Sequence, residues 1–63
     1  MIFKIEIKTE KVTYEDNENS NIAHAIEICL TNVATALLGG QMAGNVRDRN
    51  GNPVGKYFFE KEG

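Results

Sequence analysis

The sequence has a single cysteine, a single histidine and no tryptophan in its 63 residues. One cysteine excludes an intramolecular disulfide, and one cysteine with one histidine cannot build a structural zinc site. A chain this short buries only about 60% of the surface that it exposes when unfolded, which leaves its stability marginal. Because neither a disulfide nor a structural zinc site can stabilise the fold, we expect the chain to gain stability by forming a homo-oligomer.

The sequence also lacks a signal-peptide pattern, a long apolar run and an excess of basic residues. Its most apolar stretch is interrupted by Glu27, Thr31 and Asn32, so we expect a cytosolic protein without a membrane partner. A net charge of -2 argues against nucleic acid as a partner, because affinity for phosphate backbones comes mainly from Lys and Arg. The content of 41% hydrophobic and 25% charged residues is typical of a globular protein. We expect residues 1–63 to form one domain.

The segment Asn21–Leu38 is predicted to form an amphipathic α-helix that organises the core. Ser20 is the predicted N-cap, with Asn19 or Asn21 as alternatives. Gly39-Gly40 is predicted to end the helix, because glycine readily adopts the left-handed conformation of helix C-termini. The stripe predicted to face the core consists of Ile22, Ile26, Cys29, Leu30, Val33 and Leu37.

The opposite face of this helix is unusually apolar for a surface that meets only water. Its charged or titratable side chains are Glu27 and His24 alone. The last segment of the chain also has apolar side chains on both of its predicted faces. Apolar surface of this kind is typical of contacts between proteins. The residues that we predict for an oligomer interface are Ile28, Leu38, Tyr57 and Phe58.

The first nine residues have the alternating pattern of a β-strand with one buried face. Apolar Phe3, Ile5 and Ile7 alternate with charged residues at positions 4, 6 and 8. Beyond them, Val12 and Tyr14 are expected either to extend the sheet or to fold under the following loop.

The dipeptide Asn50-Gly51 predicts a hairpin that leads into a last strand, Val54–Glu60. A type I′ turn would need positive φ at both residues of the dipeptide. Pro53 cannot donate to a sheet, so either it faces outward on an edge strand or the loop is longer, with Asp48 capping its N–H groups. The order strand, helix, strand, strand predicts an α+β fold, in which one amphipathic helix packs on a three-stranded sheet.

Three patterns resemble catalytic or metal sites, and each is incomplete. His24 and Glu27 share a helix face but have no evident nucleophile beside them, and Cys29 falls on the core stripe. The glycines of 39–44 follow a helix and lack the Lys-Ser or Lys-Thr pair of a phosphate loop. The segment 48–52 starts like a calcium loop, but proline stands where that loop needs glycine. We expect no enzymatic activity, no cofactor and no metal site.

The predicted hairpin is the basic end of this slightly acidic protein. Two arginines spaced by two residues lie on one face of a strand and can hold a phosphate or carboxylate in fork geometry. The alternative is that they form a solvated face of an edge hairpin. Oligomerisation would favour the first interpretation, since copies of these side chains could surround one pocket. The candidate anion-binding residues are Arg47, Arg49, Asn50, Asn52 and Lys56.

The second half of the chain carries the pattern Gly44-x-Val46-Arg47-Asp48-x-Asn50-Gly51-Asn52-x-Val54-Gly55-x-Tyr57. With the charged strand and helix before it, this pattern resembles very small proteins encoded by bacteriophages and prophages, although the helix here is more apolar. The resemblance implies an accessory phage protein, made in the bacterial cytoplasm, that counters a host defence by binding. Its partner would be a host defence protein or a small nucleotide-like signal. The alternative is a structural or regulatory protein–protein interaction module without a small-molecule ligand.

Overall fold

The computed structural model describes residues 1–12 and 21–62, so the predicted Ser20 cap and Tyr14 lie outside the described residues. Within that part of the chain, three strands form one antiparallel sheet in the order β1-β3-β2. This arrangement, with one helix, confirms the predicted α+β fold. In chain order the elements are β1 (Ile2–Ile7), a 3₁₀ turn (Thr9–Lys11), α1 (Asn21–Leu38), β2 (Gly44–Arg47) and β3 (Pro53–Glu60).

The helix has the predicted bounds and ends at the predicted glycine pair. Gly40 has φ 94°, and its N–H donates to the Leu37 C=O at 3.0 Å. The N–H of Gln41 donates to the Ala36 C=O at 2.9 Å. These two bonds form a Schellman motif, which satisfies carbonyl groups that the last turn of a helix otherwise leaves unpaired.

The core lies between α1 and the part of the sheet formed by β2 and β3. The prediction that Leu30 belongs to this core is wrong, since its side chain is 45% exposed whereas Ala25 is buried. The helix packs mainly over β2, so the flank that carries Leu30 is left uncovered. Ile22, Ile26 and Leu37 are half-buried. The buried apolar residues are Val12, Ala25, Cys29, Val33, Val46, Val54 and Tyr57.

Strand β1 pairs with β3 along its whole length, from Ile2 opposite Glu60 to Ile7 opposite Gly55. The predicted alternation is present, but the face predicted to be buried is only partly so. Phe3 is 40% exposed and Ile5 is 36% exposed. The cause is the position of α1, which lies towards β2 at the opposite edge of the sheet and so leaves this part of the same face uncovered.

The connection between β2 and β3 is the longer of the two predicted loops. Gly51 has φ 82°, and no non-glycine residue in the described part of the chain has positive φ, which excludes a type I′ turn at Asn50-Gly51. The Asp48 carboxylate caps backbone N–H groups across this loop, as predicted for the longer form. Pro53 is the first residue of the central strand, where a missing N–H is tolerated.

A bulge in β3 changes which of its side chains face the core. Val46 lies opposite Gly55 whereas Arg47 lies opposite Pro53, so Val54 is an extra residue in the pairing. Simple alternation places Val54 and Tyr57 on opposite faces. The bulge brings both into one buried cluster, since an extra residue reverses the alternation along a strand.

Candidate anion-binding site

A depression of about 370 Å³ lies at the outer edge of β2, beside the C-terminal half of α1. Both Arg47 and Arg49 border it, so the structure brings the two predicted arginines to one place. Three amide side chains also border this depression, those of Asn32, Gln41 and Asn45.

The guanidinium of Arg47 is held in position by the loop that follows it. Its Nη1 donates to the Gly51 C=O at 2.9 Å. A guanidinium has five N–H donors in a rigid fork, so this bond uses one donor and fixes the plane of the others. An arginine oriented in this way loses less conformational entropy when it binds an anion.

Asn32 connects the helix to this edge of the sheet. Its Nδ2 donates to the Arg47 C=O at 2.9 Å and to the Asp48 C=O at 3.4 Å. The end of β2 is therefore tied to α1 at Arg47, the last residue of the strand, and Arg49 follows two residues later in the loop. Sequence reasoning missed Asn32, although a polar side chain next to the core positions Cys29 and Val33 is a signal that could have identified it.

The Asp48 side chain is turned into the loop and is only 2% exposed. Its Oδ1 accepts the backbone N–H groups of Asn50 and Asn52, each at 2.9 Å. These two asparagines were predicted as anion ligands, but Gly51 rather than either of them borders the depression. Their role in the described structure is to supply backbone N–H groups that hold the loop.

Lys56 does not join the two arginines. It borders a second depression, of about 310 Å³, together with Lys8 and Lys11. Its Nζ also lies 5.9 Å from the centre of the Phe58 ring, within the range of a cation–π interaction. The predicted basic cluster is therefore divided between two depressions, both of which Asn45 borders.

The four predicted interface residues differ in their exposure. Leu38 is 91% exposed, whereas Ile28 and Phe58 are half-buried. Tyr57 is 2% exposed, and its hydroxyl donates to the Gln41 C=O at 2.9 Å. The prediction for Tyr57 is therefore corrected, because this side chain is part of the core of its own chain and faces no surface.

The cysteine and the histidine lie on different faces of α1. Burial raises the pKa of the Cys29 thiol above its ordinary value of 9.0, and the Asp48 carboxylate raises it further. A thiol in this setting stays protonated at neutral pH and behaves as a small apolar side chain. His24 is exposed, and its Nδ1 lies 3.1 Å from Oε1 of Glu27, so the two residues share a helix face as predicted.

Residues 1–12 and 21–62 offer neither a metal-binding cluster nor a helix that could span a membrane. No group of three or more His, Cys, Asp or Glu side chains in this part of the chain could hold a metal ion. None of its helices combines the length and the apolar character needed to cross a membrane.

Comparison of the chain with protein-family models, with curated proteins and with solved structures finds no match. The function of the chain is therefore inferred from the geometry and chemistry of its own residues.

Proposed function

We propose that this chain is a non-enzymatic binding protein that holds a small anionic ligand between Arg47 and Arg49 at the outer edge of β2. The observation that carries the proposal is that both arginines border one depression whose other polar side chains include neutral amides. Arginine forks match the geometry of phosphate and carboxylate groups, and amide N–H groups add donors of the same kind.

The nearest acidic side chain does not oppose this assignment. Asp48 borders the same depression, but its carboxylate is buried in the loop and accepts two backbone N–H groups. A carboxylate that already accepts N–H donors repels an anion less than an exposed one, because those dipoles offset part of its charge. The positive charges of Arg47 and Arg49 therefore dominate at the exposed surface.

The size of the depression limits the ligand. A volume of about 370 Å³ is near the lower end of the 300–1,000 Å³ range that is typical of small-molecule sites. A phosphate group with one attached nucleoside fits this volume better than a long polymer does. The resemblance of the hairpin to bacteriophage proteins supports a nucleotide-like signal, sequestered by a homo-oligomer in the cytoplasm of a bacterial host, as the biological form of this ligand. The same proposal has a second form, in which the chain counters the host defence by binding and blocking a host defence protein.

The proposal is tested by measuring the binding of inorganic phosphate and of nucleoside mono- and diphosphates by calorimetry. Arg47→Ala with Arg49→Ala should weaken binding at least about tenfold, because two charge-assisted contacts are lost. Lys8→Ala with Lys11→Ala is the matched control, since it removes the same charge beside the other depression. Native mass spectrometry of the purified protein reports the subunit count and any retained ligand together.

Each outcome of this experiment has a defined meaning. Loss of binding in the arginine variant alone supports the proposed site. Loss in the lysine variant alone would assign the anion to the depression at Lys56 and overturn the assignment to Arg47 and Arg49. Absence of binding to every phosphate compound by the unaltered protein would also overturn it.

A second candidate is an interaction module without a small ligand, favoured by the exposure of apolar side chains at the C-terminal end of the helix and just beyond it. Leu38 is 91% exposed and Met42 is 53% exposed. Exposed apolar side chains this close together are typical of a docking surface for another protein. On this alternative, Leu38→Lys with Met42→Lys abolishes partner binding without changing the fold, and phosphate compounds do not bind.

A further inference from the structure

In the part of the chain that the structure describes, no strand pairs with the outer side of β1. The order β1-β3-β2 places β1 at an edge, and within residues 1–12 and 21–62 it pairs with β3 only. The N–H of Lys8 donates to the Val54 C=O at 2.8 Å, so it points towards β3. Backbone groups alternate in direction along a strand, so those of the residues at positions 3, 5 and 7 point outward. An edge with outward N–H and C=O groups is a template for a further strand.

The apolar side chains of β1 are also incompletely covered. Phe3 and Ile5 are 40% and 36% exposed on the face of the sheet that α1 only partly covers. The ring of Phe3 lies 5.0 Å from that of Phe59 and 6.3 Å from that of Tyr57, measured between centroids. This aromatic cluster is therefore open at the edge of the sheet, where a further strand would cover it.

We propose that β1 pairs antiparallel with β1 of a second copy of this chain, about a two-fold axis at Ile5. The two sheets then form one continuous sheet, with a helix from each copy on the same face. This inference does not depend on the anion site, which lies at the opposite edge of the sheet, beside β2. It identifies which surface joins the copies of the expected homo-oligomer.

The charges and the extent of β1 together select this register, since an axis at Ile7 would also pair opposite charges but would need residues beyond the end of the strand. With Ile5 on the axis, Lys4 lies opposite Glu6 of the second copy, and Glu6 lies opposite its Lys4. Phe3 then lies opposite Ile7, so the apolar face is continuous as well. With Lys4 on the axis, the Lys4 side chains of the two copies would face each other. With Glu6 on the axis, the two Glu6 carboxylates would face each other. Opposite charges directly across a strand pair stabilise it and like charges destabilise it.

Charge pairs within the chain extend this pattern and favour a second copy over an unrelated strand. Glu6 lies opposite Lys56 on β3, so Lys56, Glu6 and Lys4 of the second copy form a row of alternating sign. Lys4 contacts Glu60, with Nζ 2.9 Å from Oε2. A two-fold axis makes this sequence complementary to itself, and the pairing is closed because it uses both β1 edges.

The test uses two charge reversals and their mixture, measured by sedimentation equilibrium. Lys4→Glu and Glu6→Lys each place like charges at both symmetry-related positions, so the dimer Kd should rise roughly thirtyfold in either variant. An equimolar mixture of the two variants restores opposite signs at every facing pair and should form heterodimers with an affinity near that of the unaltered protein. Such recovery also shows that both variants are folded.

Lys61→Glu is the control for Lys4→Glu, since it makes the same change in charge outside the facing pairs of the proposed interface and should leave the Kd unaltered. In the dimer, the backbone N–H groups of Phe3, Ile5 and Ile7 should exchange with solvent slowly. The proposal is overturned if the unaltered protein is a monomer at concentrations up to about 100 µM, or if it forms open-ended assemblies. It is also overturned if both reversal variants dimerise as fully as the unaltered protein, or if their mixture stays monomeric. Rapid exchange of these three amides in a dimer also overturns it. Phosphate binding is measured on the reversal variants as well. If they bind phosphate but the dimer prediction fails, the failure concerns the β1 pairing and not the proposed anion site.

Discussion

The Asp48 carboxylate accepts the backbone N–H of Asn52 at 2.9 Å and thereby closes the loop between β2 and β3. The same oxygen accepts the N–H of Asn50 at 2.9 Å, while the Asp48 N–H donates to the Asn52 C=O at 3.0 Å. One side chain that is almost completely buried thus fixes a loop of several residues. Because Arg47 and Arg49 flank Asp48 in the sequence, we expect the loop conformation held by this carboxylate to determine how the two arginines are oriented.

Asp48→Ala should lower the free energy of unfolding by about 2 kcal/mol or more, since two backbone N–H groups lose a charged acceptor. Asp48→Asn retains an oxygen acceptor and should cost less. Urea denaturation followed by circular dichroism, at one protein concentration for all variants, measures both changes. Equal stability of Asp48→Ala and the unaltered protein would show that the loop does not need these bonds.

Cys29 makes the stability of the protein depend on pH in the alkaline range. Burial, and secondly the Asp48 carboxylate, raise the pKa of the thiol above its ordinary value of 9.0 in the folded state. The folded protein therefore holds this proton more tightly than the unfolded chain does. The contribution is fully present below about pH 9 and is lost as the pH rises through the folded-state pKa.

Comparison with Cys29→Ala isolates this effect from the titration of other groups. The variant should be less stable at neutral pH because it leaves a small cavity. The difference in unfolding free energy between the two proteins should then narrow as the pH rises above about 9 and through the folded-state pKa of the thiol. A constant difference across this range would show that the thiol titrates alike in the folded and unfolded states.

Gly55 is required by the close approach of β1 to β3. A Cβ atom at this position would overlap the Glu6 carbonyl oxygen and lie 2.7 Å from the carbonyl carbon, both of which are backbone atoms. Gly55→Ala should therefore displace β1 and lower the free energy of unfolding by about 3 kcal/mol.

Gly44→Ala is the control for this substitution. Its Cβ would meet the Tyr57 hydroxyl at 3.4 Å, an ordinary contact, so its cost should be clearly smaller. Thermal denaturation of the two variants compares them, and amide exchange shows whether β1 has separated from β3. Equal stability of the two variants would contradict a specific need for glycine at position 55.

The sequence predicts the elements of this fold better than it predicts their packing. Periodicity gives the bounds of α1, Asn21–Leu38, and the glycine pair gives its end, because both signals are local. The exposure of Leu30 is not local, since it depends on how far the helix is displaced towards β2. Similarly, the bulge that places Val54 beside Tyr57 follows from the pairing of two strands and cannot be read from alternation in one.

The same distinction applies to the candidate site. Arg47 and Arg49 are two residues apart, and sequence spacing sufficed to predict that they lie close together, since both border one depression. The prediction that both lie on one strand face is wrong for Arg49, because β2 ends at Arg47. Lys56 is also basic and close in the sequence, but the geometry of the hairpin directs it to another depression. Gln41, which follows the helix, borders the site through tertiary packing, in which its C=O accepts the hydroxyl of Tyr57 on β3.

Asn32 is the residue through which the helix positions the arginine edge, and its substitution tests that role. Asn32→Ala removes the bond to the Arg47 C=O and should lower the free energy of unfolding by about 1 kcal/mol. Asn32→Asp should cost more, because a carboxylate cannot donate to the carbonyls of Arg47 and Asp48 and is repelled by them.

Phosphate affinity should fall in both Asn32 variants, and more in Asn32→Asp, which also adds a negative charge to the depression. Thr31→Ala is the control, since Thr31 is exposed beside Asn32 but does not border the depression. Calorimetry with inorganic phosphate and urea denaturation of the same samples separate the two effects. If Asn32→Ala loses stability but binds phosphate as before, the amide supports the fold and does not position the arginines.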